Sequence, residues 1–342
     1  MNITPLRLGL DRPGDCDLAN WGPRIRIACR HGRFRQFEKE LDKQIGDKPR
    51  GPIWIGSGDF HHVSLALLRR VTVPCNVLVL DLHPDWVRGV PFIHCGTWVA
   101  HALRLPHVHR IFHVGGDMDF DNRFRFFAPW RDLQSGRLTV WPARRRFTNG
   151  KWHEVASEPL FSGPLPPPSG SRPHFSSPLP PSCPLPPCGG GLGWGVEPSR
   201  ATTPQEGREP DGGKGLDRCG RLADLMQSHL ADLAAHPLYI SLDKDVMIQI
   251  DAITNWEPGF LSLDHVRTIL TAFISAANGR LAGMDITGDW SPVRTQGLFR
   301  SWLDRTEHPK MTVDATEAAS LNARTDSALL EHLRGLDIQW IP

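Results

Sequence analysis

Apolar residues in this chain gather into short unbroken runs, and the polar residues between them cluster just past the ends of those runs. Asn76-Val77-Leu78-Val79-Leu80 is the clearest case. It is too short and too β-branched for a helix, so it predicts a parallel strand buried on both faces. Pro52-Ile53-Trp54-Ile55-Gly56 predicts another. A Gly-rich turn follows it, and then residues 63–68, apolar enough to start a helix packed on the sheet. Further strands are expected at 24–29, 110–114, 138–141, 237–242 and 281–286. Helical spacing predicts helices over 35–44, 97–105, 222–235, 262–277 and 326–333. Strands alternating with helices in this way predict a three-layer α/β/α fold with a mostly parallel central sheet.

The pattern breaks between about residues 148 and 215. Runs such as Pro164-Leu165-Pro166-Pro167-Pro168 and Cys188-Gly189-Gly190-Gly191 show neither periodicity. A Pro/Gly/Ser-rich segment buries too little apolar surface to offset its ordering entropy. It is expected to be a disordered insertion, or else a stretch translated in the wrong frame. The globular chain then comprises 1–147 and 216–342.

Composition adds little to this picture. The 342 residues are 40% apolar and 22% charged, ordinary for a globular protein. A net charge of +2 carries no electrostatic footprint for nucleic acid. No apolar stretch reaches membrane-spanning length, and the first residues are charged where a secretion signal needs an apolar core. The seven cysteines form no Cys-x-x-Cys pair, so no disulfide framework or zinc knuckle is signalled. A cytoplasmic protein acting on a small molecule is expected, without nucleic-acid or membrane partners.

The polar clusters carry the chemistry. Asp59, His61 and His62 follow one predicted strand, Asp81, His83 and Asp85 a second, and Asp243 and Asp245 a third; Asp289 follows a fourth. In an open α/β sheet, ligand sites lie beyond the carboxyl ends of the strands, so these groups converge on one rim. Carboxylates with imidazoles suit a pair of divalent cations, manganese better than a thiolate-loving metal; zinc stays compatible. The plain alternative is a set of solvated strand-end acids.

The order of these blocks resembles the arginase/agmatinase (ureohydrolase) superfamily. Asp81-Leu82-His83-Pro84-Asp85 and Ser241-Leu242-Asp243-Lys244-Asp245 match two of its blocks without gaps. Gly56-Ser57-Gly58-Asp59-Phe60-His61 is a looser match to a third, and His94-Cys95-Gly96 resembles its His-Gly block with one residue inserted. Pro258-Gly259-Phe260-Leu261-Ser262 is similar to the stretch that opens the following helix. The resemblance implies an arginase-like fold holding two Mn²⁺, with other divalent cations compatible. One ion would be held by His61, Asp81, Asp85 and Asp243, the other by His83, Asp81, Asp243 and Asp245, with Asp81 and Asp243 bridging. It implies hydrolysis of a non-peptide C–N bond in a guanidino, amidino or formimino compound by a hydroxide bridging the ions. His94 would shuttle the proton, and Asp289 would hold a guanidinium by bidentate hydrogen bonds. Glu257 is a further substrate-binding candidate. Homo-oligomers occur in the family.

Departures mark a divergent branch. An extra residue separates Asp59 from the histidines, so His61 and His62 both qualify as ligand; His61 is preferred because His62 fits the start of a helix. Val246-Met247-Ile248 stands where the family has Asp-Pro, and the late acid is Asp289, displaced by one position and not Glu. Plainer roles compete for some residues: a loop histidine for His94, a turn cap for Asp289, turn acids for Asp117 and Asp119, and solvent exposure for Glu257. His107, His109 and His113 are expected on a strand surface, and the tryptophans in packing. Rival readings are a calcineurin-like metallophosphoesterase, which lacks its Gly-Asn-His block here, and a mono-zinc deacetylase, which needs fewer acids. A non-catalytic scaffold offering polyproline segments is the third.

Overall fold

The computed structural model describes residues 3–8, 16–46, 51–88, 90–116, 128–143, 145–148, 151–154, 222–293, 295–308 and 313–341. Its strands are Thr4–Arg7 (β1), Cys16–Asp17 (β2), Ala28–Cys29 (β3), Ile53–Ser57 (β4), Cys75–Leu80 (β5), Ile93–His94 (β6), Val108–Val114 (β7), Leu138–Trp141 (β8), Arg145–Thr148 (β9), Lys151–Glu154 (β10), Leu238–Asp243 (β11), Arg280–Asp289 (β12) and Gln339–Trp340 (β13). The helices are Gly22–Ile25 (α1), His31–Ile45 (α2), Val63–Leu68 (α3), Trp98–Ala102 (α4), Trp130–Gln134 (α5), Leu222–Ala235 (α6), Leu263–Ala276 (α7), Leu298–Glu307 (α8) and Ala315–Arg334 (α9).

The main sheet runs β2-β1-β4-β12-β11-β5-β7-β8, with β13 added beside β12. Its pairings are parallel throughout. Two small antiparallel pairs, β9 with β10 and β3 with β6, stand apart from it. Side chains alternate faces along a strand, and the apolar run of β5 feeds both layers. Val77 and Val79 pack with Phe34 and Phe37 of α2, Leu65 of α3 and Trp98 of α4. Leu78 and Leu80 pack on the other face with Leu225 of α6, Ile269 and Phe273 of α7, and Leu329 of α9. The fold is a three-layer α/β/α sandwich, and the continuous hydrophobicity of its central strands follows from burial on both sides.

Chain order and sheet order diverge most at the middle of the sheet. β4 and β5 are neighbours in the predicted βα series, yet β12 and β11 lie between them. The carboxyl ends of β4, β12, β11 and β5 therefore sit side by side where the winding changes direction, the usual place for a ligand crevice. Strands on the two sides of residues 155–221 thus share one sheet.

Some expectations fail. Residues 24–29 are not one strand: Pro23 starts the turn α1, and Ile27 adopts a left-handed φ of 61° before the two-residue β3. The last long helix begins at Ala315, well before the expected start, because Asp314 caps the backbone N–H groups of Thr316 and Glu317. α8 was not anticipated. The Pro/Gly-rich stretch lies outside the described residues apart from its first few positions in β9 and β10. Cys16, Cys29, Cys75 and Cys95 are buried and form no disulfide with one another. No described helix is long and apolar enough to cross a membrane.

Gly259 shows how tightly the loops over the rim are laid down. Its N–H donates to the Met247 carbonyl, and Phe260 and Leu261 donate to that of Val246. A Cβ on Gly259 would lie 2.2 Å from the Val246 carbonyl oxygen and 2.6 Å from that of Asp245. Neither backbone can yield alone, so Gly259→Ala is expected to cost about 2–3 kcal/mol, read as a lowered urea midpoint.

Candidate metal centre

Strand ends deliver the polar side chains, and short turns aim them. After β4, Ser57 accepts a hydrogen bond from the Asp59 N–H and sets a tight turn over Gly58–Phe60. The turn throws the next two histidines to opposite sides. His61 faces the rim. His62 immediately precedes α3 and is fully buried against Phe34. Burial, with the charges of His94 and His61, pushes His62 down to about 3. Of the two histidines, His61 lies among the clustered carboxylates and His62 lies against Phe34.

His61 Nδ1 lies 3.2 Å from Asp81 Oδ2, 3.0 Å from Asp85 Oδ2 and 3.3 Å from Asp243 Oδ2. All four side chains are at least nine-tenths buried. A single ring N–H serves one acceptor well, so three oxygens around one nitrogen are more than a proton can satisfy. Asp81 Oδ2 indeed has no hydrogen-bond partner. Across the shared Asp81, His83 Nδ1 is 2.8 Å from Asp245 Oδ2 and 3.9 Å from Asp81 Oδ1. Ligand atoms of His61, Asp81 and Asp85, and again of Asp81, His83 and Asp245, lie within 4.8 Å of one another.

Electrostatics make the same point. Burial and the Asp81 charge push Asp85 up to about 8. Burial, then Asp245 and Asp81, raise Asp243 well above the carboxylate range, and burial with Asp81 raises Asp245. Burial pulls His61 down, but hydrogen bonds and charge from Asp81 and Asp85 overcome it and raise the imidazole well above its usual value. Ionised together, the four carboxylates would carry more negative charge than the two imidazoles can balance. Buried like charges call for a counter-charge, and an oxygen-rich set with two imidazoles fits hard or borderline divalent cations.

The surroundings hold these groups in place. His61 Nε2 lies 3.0 Å from Ser241 Oγ, which donates to Asp285 Oδ1 at 2.9 Å. Ser64 Oγ and Tyr239 OH also donate to Asp285. Trp98 Nε1 donates to Asp85 Oδ2 at 2.8 Å, and Asp85 itself takes a left-handed φ of 49°. The Leu82 N–H donates to Asp245 Oδ1, the His83 N–H to Asp81 Oδ1, and the Asp245 N–H to Asp243 Oδ1. His113, expected on a strand surface, is fully buried. Its Nε2 is 2.8 Å from the His83 carbonyl and holds that loop. His109 is exposed and His107 half-buried.

The remaining candidates are placed as follows. His94 Nδ1 accepts the Gly96 N–H at 2.9 Å, leaving the ring proton on Nε2. The position of a Cβ on Gly96 would be 3.2 Å from His94 Nδ1 and 3.9 Å from Asp85 Oδ1, so this imidazole borders the cluster. Glu257 is exposed. Asp117 and Asp119 lie outside the described residues. Asp289 does not wait at the rim as a bare acid: Lys244 Nζ donates to its Oδ1 at 2.5 Å and to Asp326 Oδ1 at 2.8 Å. Gly288, before it, has φ of 97°, and a Cβ there would strike Asp243 Oδ1 at 2.4 Å.

Lys244 and the Asp59 network escaped sequence reasoning. Lys244 was read only as the spacer between two acids, yet its side chain is 1% exposed. Asp59 is fully buried and points away from the cluster, with Arg26 Nε at 2.7 Å and His308 Nε2 at 2.8 Å. His308 Nδ1 reaches Asp304 Oδ1 at 2.6 Å. Its ring packs edge-on against Trp256, 4.8 Å between centroids, and Trp256 in turn packs on His83 at 5.2 Å. The signal available was weak: Arg26, Asp59 and His308 are far apart in sequence and belong to no shared motif.

No family model matches the chain. Over 65 residues it is 32% identical to an uncharacterized protein of Thermotoga maritima, a stretch covering 19% of this chain and 27% of that protein. The chain thus matches about a quarter of the length of this curated relative. Among solved structures it is similar to an arginase from Bacillus subtilis, at 12% identity and a TM-score of 0.46 over 90% of this chain and 80% of the other. An arginase from Bacillus caldovelox gives 11%, 0.45, 97% and 82% in the same order. An agmatine ureohydrolase of Thermoplasma volcanium gives 13%, 0.43, 87% and 67%. Likenesses of this size leave the chemistry to the residues.

Two outcomes follow from the charged contacts. Lys244→Met strands Asp289 and Asp326 beside each other without their cation, and is expected to lower stability by about 3–5 kcal/mol, measured by urea unfolding. For His308, burial lowers the pKa, but the Asp59 hydrogen bond and the charges of Asp59 and Asp304 raise it above 6.5. A raised folded pKa adds stability that is full below the unfolded value and fades as pH rises through the folded one. His308→Gln should therefore lose more stability at about pH 6 than at about pH 9, in paired denaturation curves.

Proposed function

We propose that this chain is a metal-dependent hydrolase of a non-peptide C–N bond, of ureohydrolase type, acting on a guanidino, amidino or formimino compound. One observation carries the reading: Asp81 is shared between two His/Asp groups, buried except for a half-exposed His83, at the carboxyl rim of one parallel sheet. The ordered motifs of the arginase/agmatinase superfamily support it from the sequence side.

In this reading His61, Asp81, Asp85 and Asp243 hold one divalent cation, and His83, Asp81, Asp243 and Asp245 hold the other. The donor set fits Mn²⁺, with other hard or borderline cations compatible. A bound pair supplies Lewis acidity and a water of lowered pKa near neutral pH. The chain's own residues do the rest. Ser241 and Asp285 fix the ring orientation of His61 by holding Nε2, as outer partners of ligating histidines do. Trp98 holds Asp85 in its left-handed turn. His94, with Nδ1 tied to Gly96, keeps Nε2 for moving a proton to the departing nitrogen. Asp289 enters as a substrate carboxylate only by sharing its charge with Lys244, and Glu257 acts from the exposed mouth.

Metal counting separates the mono-zinc alternative, and nitrogen release separates the metallophosphoesterase. Purified protein dialysed against Mn²⁺ should retain about two ions per chain, and Asp243→Ala should lose them. The loaded protein should release urea or ammonia from a panel of guanidino and formimino compounds. Wild-type metal content in Asp243→Ala, or a single zinc with no nitrogen release, would defeat the proposal.

A further inference from the structure

His308 lies between two carboxylates and serves both only as a cation. Its Nε2 is 2.8 Å from Asp59 Oδ1, and its Nδ1 is 2.6 Å from Asp304 Oδ1. An ionised carboxylate only accepts, and a neutral imidazole has a single N–H. Both contacts are hydrogen bonds only while both ring nitrogens carry a proton. When one proton leaves, a ring lone pair faces a carboxylate oxygen at the same short distance.

The two carboxylates belong to different parts of the fold. Asp304 lies on α8, one turn before His308. Asp59 lies in the turn after β4 and is fully buried, with Arg26 Nε at 2.7 Å from its other oxygen. His308 is therefore an ionic tie between the end of α8 and the rim. The other attachments of α8 are slight. Among its described side chains Leu303 is the buried apolar one, packed with Ile27, Ala28, Cys95 and Trp256 in a small cluster apart from the two main layers. Leu298 is 95% exposed and Trp302 59%. Arg300 Nη1 donates to the Pro23 carbonyl at the surface. An element with few buried apolar contacts opens locally at low cost, so one charged tie carries a large share of its hold. Beneath the tie lies Trp256, 9% exposed, which the His308 ring meets edge-on and which itself packs on His83.

We propose that α8 is a proton-operated cover for the Trp256 side of the rim, latched while His308 bears both ring protons and released when one leaves. The groups that act on the proton come from each neighbouring element. Burial opposes it, Asp59 and Asp304 favour it, and Arg26 beside β3 opposes it; the Trp256 ring is uncharged. The balance lies above the ordinary imidazole value. The latch is thus closed in mild acid and lost as pH rises through the raised value. Release uncovers the ring that backs His83. The tie lies outside the cation cluster, so the proposal stands whether or not the hydrolase reading does.

Hydrogen exchange of the full chain tests it, read by mass spectrometry in steps from about pH 6 to about pH 9 and corrected for the intrinsic pH dependence of exchange. Amides of α8 are expected to lose protection roughly tenfold or more across this range, with those of 254–257 following, while α7 keeps its protection. In His308→Gln, α8 should be weakly protected to the same degree throughout. Asp304→Asn keeps an acceptor for Nδ1 but removes its charge, so its transition should move to lower pH; this variant serves where His308→Gln does not fold. Wild-type α8 protected equally at both ends of the range overturns the proposal. So does a transition that survives in His308→Gln, or one that stays at the wild-type pH in Asp304→Asn. An equal loss of protection in α7 reports unfolding of the whole sandwich and overturns it too.

Discussion

Four carboxylates buried within reach of two imidazoles are the constraint on which the rim of this molecule turns. Desolvation and mutual repulsion both disfavour their ionised forms. A chain that merely needed to fold would fill such a place with apolar side chains, which is often as stable or more so. The fold instead spends the carboxyl ends of its most central strands on acids. β5 and β11 each pass six buried residues through the middle of the sandwich, and each run closes on an aspartate. The repulsion is tolerable where backbone N–H groups and a short list of side chains oppose it. Leu82, His83 and Asp245 each turn an amide onto one of these carboxylates.

Around the crowded centre the protein separates two kinds of charge. Toward β12 and α9, Lys244 pairs with both Asp289 and Asp326; toward α8, Arg26 and His308 pair with Asp59. Both flanking sets are closed, with their carboxylates already paired. The cluster at Asp81 is open, because a single imidazole nitrogen faces three oxygens. The difference between closed and open acids separates the flanking ion pairs from the Asp81 cluster. It also explains why acid count alone is a poor guide: Asp59 stands two residues from His61 and belongs to the other category.

Much of this was legible in the sequence, and the reason lies in locality. A parallel strand buried on both faces writes an unbroken apolar run, so β5 and β11 could be placed to within a residue or two. The turns that carry the acids follow such strands directly, so Asp81, His83, Asp85, Asp243 and Asp245 are legible as clusters at strand ends. What could not be read depends on pairs distant in the chain. Asp326 meets Lys244 across 82 positions and His308 meets Asp59 across 249. His113 looked like an exposed strand residue because its partner is a backbone carbonyl, which has no signature in sequence. The strand expected at 24–29 failed because Pro23 and the left-handed Ile27 bend the chain, a local effect that apolar content masks. The start of α9 was missed because its first turns are mostly solvent-facing and carry no apolar stripe.

The flank at Lys244 has a consequence for how the centre is held. Its backbone sits in the tight turn Lys244–Val246, between the two aspartates of β11, while its ammonium is anchored to the end of β12 and to α9. Burial would lower its pKa, but Asp289 and Asp326 raise it, so the charge is kept. A lysine at that position acts as a brace: whatever displaces α9 or the end of β12 also pulls on the residues either side of it, Asp243 and Asp245. Gly288 completes the arrangement by letting β12 pass so close that only hydrogen fits beside Asp243 Oδ1. The geometry of the acids is therefore set less by their own strand than by the strand and helix packed against it. An apolar residue between them would leave both neighbouring carboxylates free to move apart under their own repulsion.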